Sequence, residues 1–226
     1  MKHLIVDGVY AHFANIEDTT DFSHAEKQIK EYTTVVEKFK KAGYKTIKTH
    51  ISATSGVLAY EKWHGFNTIV RVGVGLYGMW PSVELARLWQ KKVTLLPVMR
   101  HISHIAQVKN IPVGESIGYG LSYKVKKEMT TAIIPQGYSN GVNRLLSNTG
   151  SVLIHGVRAP IVGRVAMNMF VVDVTHIKGV GPEDEVVILG SQKREAVTAE
   201  EIAEATQTIN YEVTTRINPL LPRVIV

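Results

Sequence analysis

The sequence predicts an α/β segment followed by a mainly antiparallel all-β segment, with the change near residue 90. Three observations point there. Over the first ninety residues, β-type apolar runs alternate with a helical apolar pattern, the order that parallel pairing through right-handed crossovers requires. Beyond them, short β-type runs are separated by Gly, Pro and Asn clusters, the spacing of a β-domain or barrel. With 226 residues, 45% apolar and 20% charged, the chain suits one large or two small globular domains and does not have the composition of disorder.

The elements follow in order. Leu4–Phe13 is rich in Val and Ile and reads as a buried strand. Ser23 and Glu26 have capping-box spacing. Behind them Ile29, Tyr32, Val36 and Phe39 form one apolar helix face, and Gly43 closes it. Thr46–Ile51 is a second strand, followed by a small-residue turn over Ser52–Gly56 and a helical turn over Val57–Tyr60. Thr68–Val74 is a third strand ending in Gly73-Val74-Gly75. The β-type runs of the remainder are Val93–Val108, Met129–Ile134, Ser151–Ile154, Ala159–Val165, Phe170–Val174 and Glu185–Leu189. A late helix starts at Thr198, which forms a second capping box with Glu201.

Composition narrows the function classes. Residues 1–113 carry 15 Lys+Arg against 9 Asp+Glu, and residues 114–226 carry 11 against 11, so the first half holds the whole net charge of +6. The lysines are scattered, with no arginine-rich run and no aromatic interleaving. A solvated basic face or an anionic small ligand fits better than nucleic acid. No apolar run approaches the roughly 18 residues of a membrane span. The start, with Asp7 after a short apolar stretch, is unlike a signal peptide. Cysteine is absent, which removes disulfides and thiolate chemistry and makes a cytoplasmic location the expectation.

Candidate chemistry gathers at strand ends. His12 ends the first strand, His50 and the Ser52–Gly56 turn end the second, and Arg71 with Gly73-Val74 ends the third. Carboxyl ends of parallel strands are where α/β folds bind ligands, and glycine-rich turns present amides to anions. Arg71 either serves a ligand or pairs with Asp7 or Glu61 for structure alone. The two histidines have no carboxylate at metal-ligand spacing. In the second half, Tyr119 lies between Gly118 and Gly120, and Tyr138 follows Gly137. Each tyrosine either projects into a cavity, where nearby cations would suit it to act as a base, or plugs its loop.

Seven segments together closely resemble the C-terminal part of pyridoxal-phosphate-dependent alanine racemases. They are Gly8–Ala14, His50–Gly56, Val70-Arg71-Val72-Gly73-Val74-Gly75-Leu76-Tyr77-Gly78, Gly114–Gly120, Ile134–Tyr138, Ala159–Asn168 and Thr208–Val213, in the family's order over essentially the whole chain. The resemblance implies that residues 1–90 are the last three strands of a (β/α)8 barrel and residues 91–226 the racemase β-domain. It implies interconversion of L-alanine and D-alanine, supplying peptidoglycan. By the resemblance, the Ser55 hydroxyl (with Thr54 as the alternative), the Gly73 and Val74 amides and the Tyr211 phenol hold the cofactor phosphate. Arg71 faces the pyridine nitrogen, with His12 and His50 orienting it. Tyr119 is the base on one face of the planar carbanion, reaching the site of a partner in a homodimer. The Met167 backbone holds the substrate carboxylate and Tyr138 lines the entrance. Asn168 stands where the family commonly has aspartate.

The family's Schiff-base lysine segment and its substrate-carboxylate arginine have no counterpart here. Three barrel strands would leave open edges and an uncovered apolar face. Lys48 shares a strand face with His50 and is a conceivable substitute, although a solvated lysine is far the commoner arrangement. The expectations are therefore the C-terminal portion of an alanine racemase, either a fragment of a longer chain or the product of a split gene with a separate lysine-bearing N-terminal half, or a non-catalytic homologue serving as a binding or dimerisation module.

Overall fold

A computed structural model describes residues 3–59 and 68–226. It divides into two compact units, residues 1–98 and 99–226.

The first unit is built on a parallel pair, β1 (Gly8–Tyr10) and β2 (Lys48–His50), in register Gly8 to Lys48 and Tyr10 to His50. Helix α1 (Ser23–Lys41) makes the crossover. Ala25, Ile29, Tyr32 and Val36 recur every three or four residues and are buried in one cluster with Phe13, Ile16 and Ile51. Burying each large side chain of this stripe contributes about 1.5–3 kcal/mol. The Tyr32 hydroxyl adds a donor to the Val9 carbonyl at 3.1 Å. The Ser23–Glu26 capping box does not form. Ser23 is already helical, and Asp21 accepts the Ser23 amide at 2.9 Å. That backbone hydrogen bond holds the Asp21 carboxyl below its ordinary value. The C-terminus is as the sequence predicts. Gly43 has φ +99°, and Tyr44 N–H donates to the Phe39 carbonyl and Gly43 N–H to Lys40, both at 3.1 Å.

Two expected elements differ. The Ser52–Gly56 stretch is not a free turn, because helix α2 (Thr54–Ala59) begins inside it. Tyr60, the expected end of that helical turn, lies outside the described residues. The third run is not a regular strand. It makes one parallel bridge, Ala53 to Arg71, with Arg71 N–H donating to the Ser52 carbonyl at 3.0 Å. Glycine gives such a segment no side chain to pack, and the chain turns into a 3₁₀ helix over Val74–Tyr77. Gly78 closes it at φ +78°, where a Cβ would sit 1.8 Å from the Leu96 carbonyl oxygen. Helix α3 (Val83–Trp89) follows, capped by the Ser82 hydroxyl, and is absent from the sequence reading.

The second unit holds β3 (His101–His104), β4 (Gln107–Ile111), β5 (Ser116–Ile117), β6 (Tyr123–Lys124), β7 (Met129–Ile134), β8 (Ser151–Ile154), β9 (Val157–Pro160), β10 (Phe170–Asp173), β11 (Glu185–Gln192) and β12 (Glu195–Val197). All its pairings are antiparallel. One sheet runs β10-β7-β4, another β12-β11-β8-β9 with β3 also on β11, and β5 and β6 form a short pair. The expected run 93–108 becomes two strands in different sheets, because the chain breaks at the fully buried Ile105. Ile134, Leu153, Phe170, Val172 and Val187 fill the core. Helix α4 (Ala199–Ala205) is capped by Thr198 Oγ1, which accepts Glu201 N–H at 3.1 Å. The Glu201 carboxylate grips Arg158 at 2.6 and 2.8 Å, so only half of the second capping box forms. Helix α5 (Asn210–Thr215) carries Tyr211.

Phe170 is 1% exposed at the centre of this core. Phe170→Ala should destabilise the second unit by about 3–5 kcal/mol, read from the urea midpoint of its circular dichroism transition. A loss under 1 kcal/mol would contradict the packing described.

Candidate functional site

Arg71 is the centre of the first unit's strand-end cluster. One terminal nitrogen lies 2.5 Å from His50 Nδ1, and the other lies 2.8 Å from His12 Nδ1 and donates to the carbonyls of Ala11 at 2.9 Å and Ile51 at 3.2 Å. A guanidinium has only donors, so each Nδ1 must present its lone pair, which places the ring proton on Nε2. Burial, and then the Arg71 charge, hold His50 below its ordinary value. Tyr10, which the sequence reading does not single out, stacks on His50 with centroids 5.3 Å apart and lies 5.6 Å from the Arg71 guanidinium carbon. Of the two structural partners considered for Arg71, only Asp7 lies among the described residues, and it is engaged elsewhere. Asp7 pairs with Lys48 at 2.9 Å, and Glu61 lies outside the described residues. Among the described residues Arg71 makes no ion pair. No metal-ligating cluster occurs among them either.

Beside this cluster, α2 presents Thr54 to the glycine turn. Thr54 Oγ1 accepts Gly73 N–H at 2.9 Å and Gly75 N–H at 3.4 Å. A hydroxyl accepting two amides still has its own proton to donate. A Cβ on Gly73 would meet only Thr54 Oγ1, at 3.9 Å, so the turn is open above that glycine. Ser55 is different. Its hydroxyl is buried with no hydrogen-bond partner among the described residues. Of the two neighbouring hydroxyls, Thr54 faces the Gly73 turn.

In the second unit, two tyrosine turns lie along one segment, residues 163–168. Tyr119 sits in a 3₁₀ turn flanked by Gly118 at φ +81° and Gly120 at φ +68°. A Cβ on Gly118 would lie 2.6 Å from the Arg164 amide nitrogen, so only glycine permits this crossing. The Tyr138 turn crosses the same segment. Tyr138 N–H donates to the Ala166 carbonyl at 3.1 Å, and Ser139 donates to the Met167 carbonyl through both N–H (3.0 Å) and hydroxyl (2.8 Å). The Ser139 hydroxyl is also 3.0 Å from Asn168 Oδ1. Tyr119, Tyr138 and Met167 are all exposed. The chain leaving α5 is tied to the Tyr138 turn, with Asn218 Nδ2 donating to the Ser139 carbonyl at 2.9 Å. His12, His50, Ser55, Arg71, Gly73 and Val74 thus belong to the first unit, and Tyr119, Tyr138, Met167 and Tyr211 to the second. The sequence reading missed Asn148, whose side chain joins the Tyr119 turn to Gly163. Its one signal is an asparagine in a Ser-Asn-Thr-Gly turn.

The His50 environment has a pH consequence. His50 binds a proton less readily folded than unfolded, so its contribution to stability is full above the ordinary 6.5 and is lost as the pH falls through the lower folded value. By NMR titration, His50 should show a midpoint below 6.5. Arg71→Leu should raise that midpoint only in part, because burial is the larger cause. A wild-type midpoint at or above 6.5 would refute the assignment.

The family model for the alanine racemase C-terminal domain matches residues 98–225, and that for the alanine racemase N-terminal domain matches residues 1–81. The alanine racemase of Desulfosudis oleivorans is 38% identical over 221 residues, covering 98% of this chain and 55% of the relative. The crystal structure of alanine racemase from D-cycloserine-producing Streptomyces lavendulae superposes with a TM-score of 0.86 at 35% identity, over 97% of this chain and 56% of that one. Alanine racemase from Bartonella henselae, solved with covalently bound pyridoxal phosphate, gives a TM-score of 0.81 at 27% identity, over 97% and 56%. The chain spans about half the length of the relatives it matches. With the C-terminal model covering more than half of its residues, the chain belongs to the alanine racemase family.

Proposed function

We propose that this chain is the C-terminal part of a cytoplasmic alanine racemase that interconverts L-alanine and D-alanine and supplies peptidoglycan synthesis. In this reading residues 1–90 are the last strands of a (β/α)8 barrel and residues 91–226 the β-domain. The observation that carries it is the Arg71 cluster beside the Thr54–Gly73 turn, in a chain of this family. The Arg71 Nε–H, which makes no hydrogen bond among the described residues, suits a ring nitrogen that only accepts. The open Gly73 turn and the Thr54 hydroxyl suit a phosphate. These features fit pyridoxal phosphate, which when bound withdraws electrons and acidifies the amino-acid α-hydrogen.

The chain's own residues then divide the work. Thr54 in preference to Ser55, the Gly73 and Val74 amides and the Tyr211 phenol bind the phosphate. Arg71 donates to the ring nitrogen without giving up its proton, and His12 and His50 orient it. Tyr119 takes or returns the α-proton on one face, and such positioned acid–base groups contribute typically ~10²–10⁴-fold. Its exposure suits supply to the site of a second copy in a homodimer. The Met167 carbonyl is occupied by Ser139, leaving the Met167 N–H for the substrate carboxylate. Tyr138 lines the approach. The lysine on the other face belongs to the N-terminal part of the racemase, which residues 1–226 do not span. Lys48, engaged with Asp7, is not its substitute. Exposed Leu4, Ile5, Val70, Val72 and Leu76 in the first unit support the need for further barrel strands as cover.

Incubated with pyridoxal phosphate and L-alanine, the chain alone should form no D-alanine. Adding a lysine-bearing racemase N-terminal half should restore cofactor absorbance and turnover together. Turnover by the chain alone would overturn the division of labour, and inactivity of the pair would leave a binding module. In the active pair, Thr54→Ala should weaken cofactor binding about tenfold or more, with Ser55→Ala close to wild type. Tyr119→Phe should remove most proton abstraction from L-alanine and leave cofactor absorbance intact.

A further inference from the structure

Tyr119 is 72% exposed, and its phenol makes no hydrogen bond among the described residues. Packing therefore does little to aim this side chain, and its direction depends on the backbone turn beneath it. That turn is an uncommon one. Gly118, Gly120 and Leu121 all have positive φ, with Leu121 at +51°. A leucine in that region is disfavoured and persists only where its surroundings hold it. Within the turn itself the one backbone hydrogen bond is Leu121 N–H to the Gly118 carbonyl, at 3.1 Å.

The holding group is Asn148. Its Nδ2 donates to the Ser122 carbonyl at 3.2 Å, directly after the turn, and its Oδ1 accepts Gly163 N–H at 2.6 Å. Gly163 is the residue that Gly118, at the other end of the turn, packs against. A Cβ on Gly163 would lie 2.8 Å from the Ile117 carbonyl oxygen. Ser147 extends the contact, its hydroxyl accepting Val165 N–H at 3.0 Å. Asn148 itself has φ +63°, a conformation asparagine tolerates better than most residues. One side-chain amide thus uses a donor and an acceptor to close a loop around the Tyr119 turn.

We propose that Asn148 is a positioning residue for Tyr119, tying both ends of its turn to the Gly163–Val165 segment so that the phenol is held in one direction. The tie is a property of the second unit. Its effect on turnover rests on the assignment of Tyr119 as the acid–base residue.

Two substitutions in the full chain separate tie from fold. Asn148→Gly keeps the left-handed backbone and removes both hydrogen bonds. Asn148→Asp keeps the acceptor for Gly163 and loses the donor to Ser122. By hydrogen exchange, Asn148→Gly should speed exchange over residues 117–122 and at Gly163 by about tenfold, with β7 unchanged. Asn148→Asp should confine the change to residues 119–122. In the active pair with the lysine-bearing half, Asn148→Gly should lower kcat from L-alanine about tenfold with KM within about threefold, and Asn148→Asp should fall between. Unchanged exchange around Tyr119, or an equal rise in β7, would overturn the proposal, as would faster local exchange with unaltered kcat. A pair inactive with the unaltered chain would count against the Tyr119 assignment, while the exchange data alone would decide the tie.

Discussion

Arg71 carries a full positive charge, and no carboxylate among the described residues neutralises it. Its partners are two imidazole lone pairs and two backbone carbonyls. Those carbonyls belong to Ala11 and Ile51, each one residue beyond a strand of the parallel pair. The guanidinium therefore joins three chain segments where a regular third strand would otherwise supply ladder bonds. Opposite charge would have satisfied it more strongly, but would also have cancelled the field at the strand ends. Neutral acceptors fix the geometry and leave the charge. The same charge adds to burial, the larger cause, in holding the His50 imidazole below its ordinary value.

In the second unit, close backbone approach takes the place of charge. Gly118 against Arg164, and Gly137 against Ala166 and Met167, bring two loops onto one segment at distances no side chain would permit. Each crossing is completed by a short polar side chain: Asn148 for the Tyr119 turn and Ser139 for the Tyr138 turn. Both tyrosines are exposed, so the positions of their phenols follow from backbone constraints rather than from burial. A substitution at any of these glycines would move a tyrosine without touching it.

The legibility of these features in the sequence follows the range of the forces. Local signals read well. The α1 stripe, the Gly43 cap and strands β7 and β8 stand where periodicity and turn residues predict them. Capping boxes read less well, because Asp21 outcompetes Ser23 at one end and Arg158 captures Glu201 at the other. The third strand fails because its apolar pattern is that of a strand while Gly73, Gly75 and Gly78 shape a turn. At the site, Arg71, His12 and His50 were visible as polar residues on apolar strand ends. The different surroundings of Thr54 and Ser55 were not, since two adjacent hydroxyls differ only in the face that helix α2 gives them. Asn148 showed only as a turn residue, because its partners at Ser122 and Gly163 are 26 and 15 residues away.

The two units also differ in how far their own residues satisfy them. Antiparallel strands pair through short connections, so the second unit covers its sheets from its own sequence and closes its core on Phe170, Val172 and Leu153. A parallel pair needs long crossovers and cover on both faces. In the first unit α1 covers one side of β1 and β2, while Leu4, Ile5, Val70 and Val72 stay exposed. The two terminal nitrogens of Arg71 are nevertheless fully engaged among the described residues, because their partners come from segments already paired to one another. A site assembled on strand ends can therefore be fully formed while the sheet that bears it still presents apolar surface. The exposed apolar side chains of the first unit thus bear on its cover, and not on the geometry that holds Arg71.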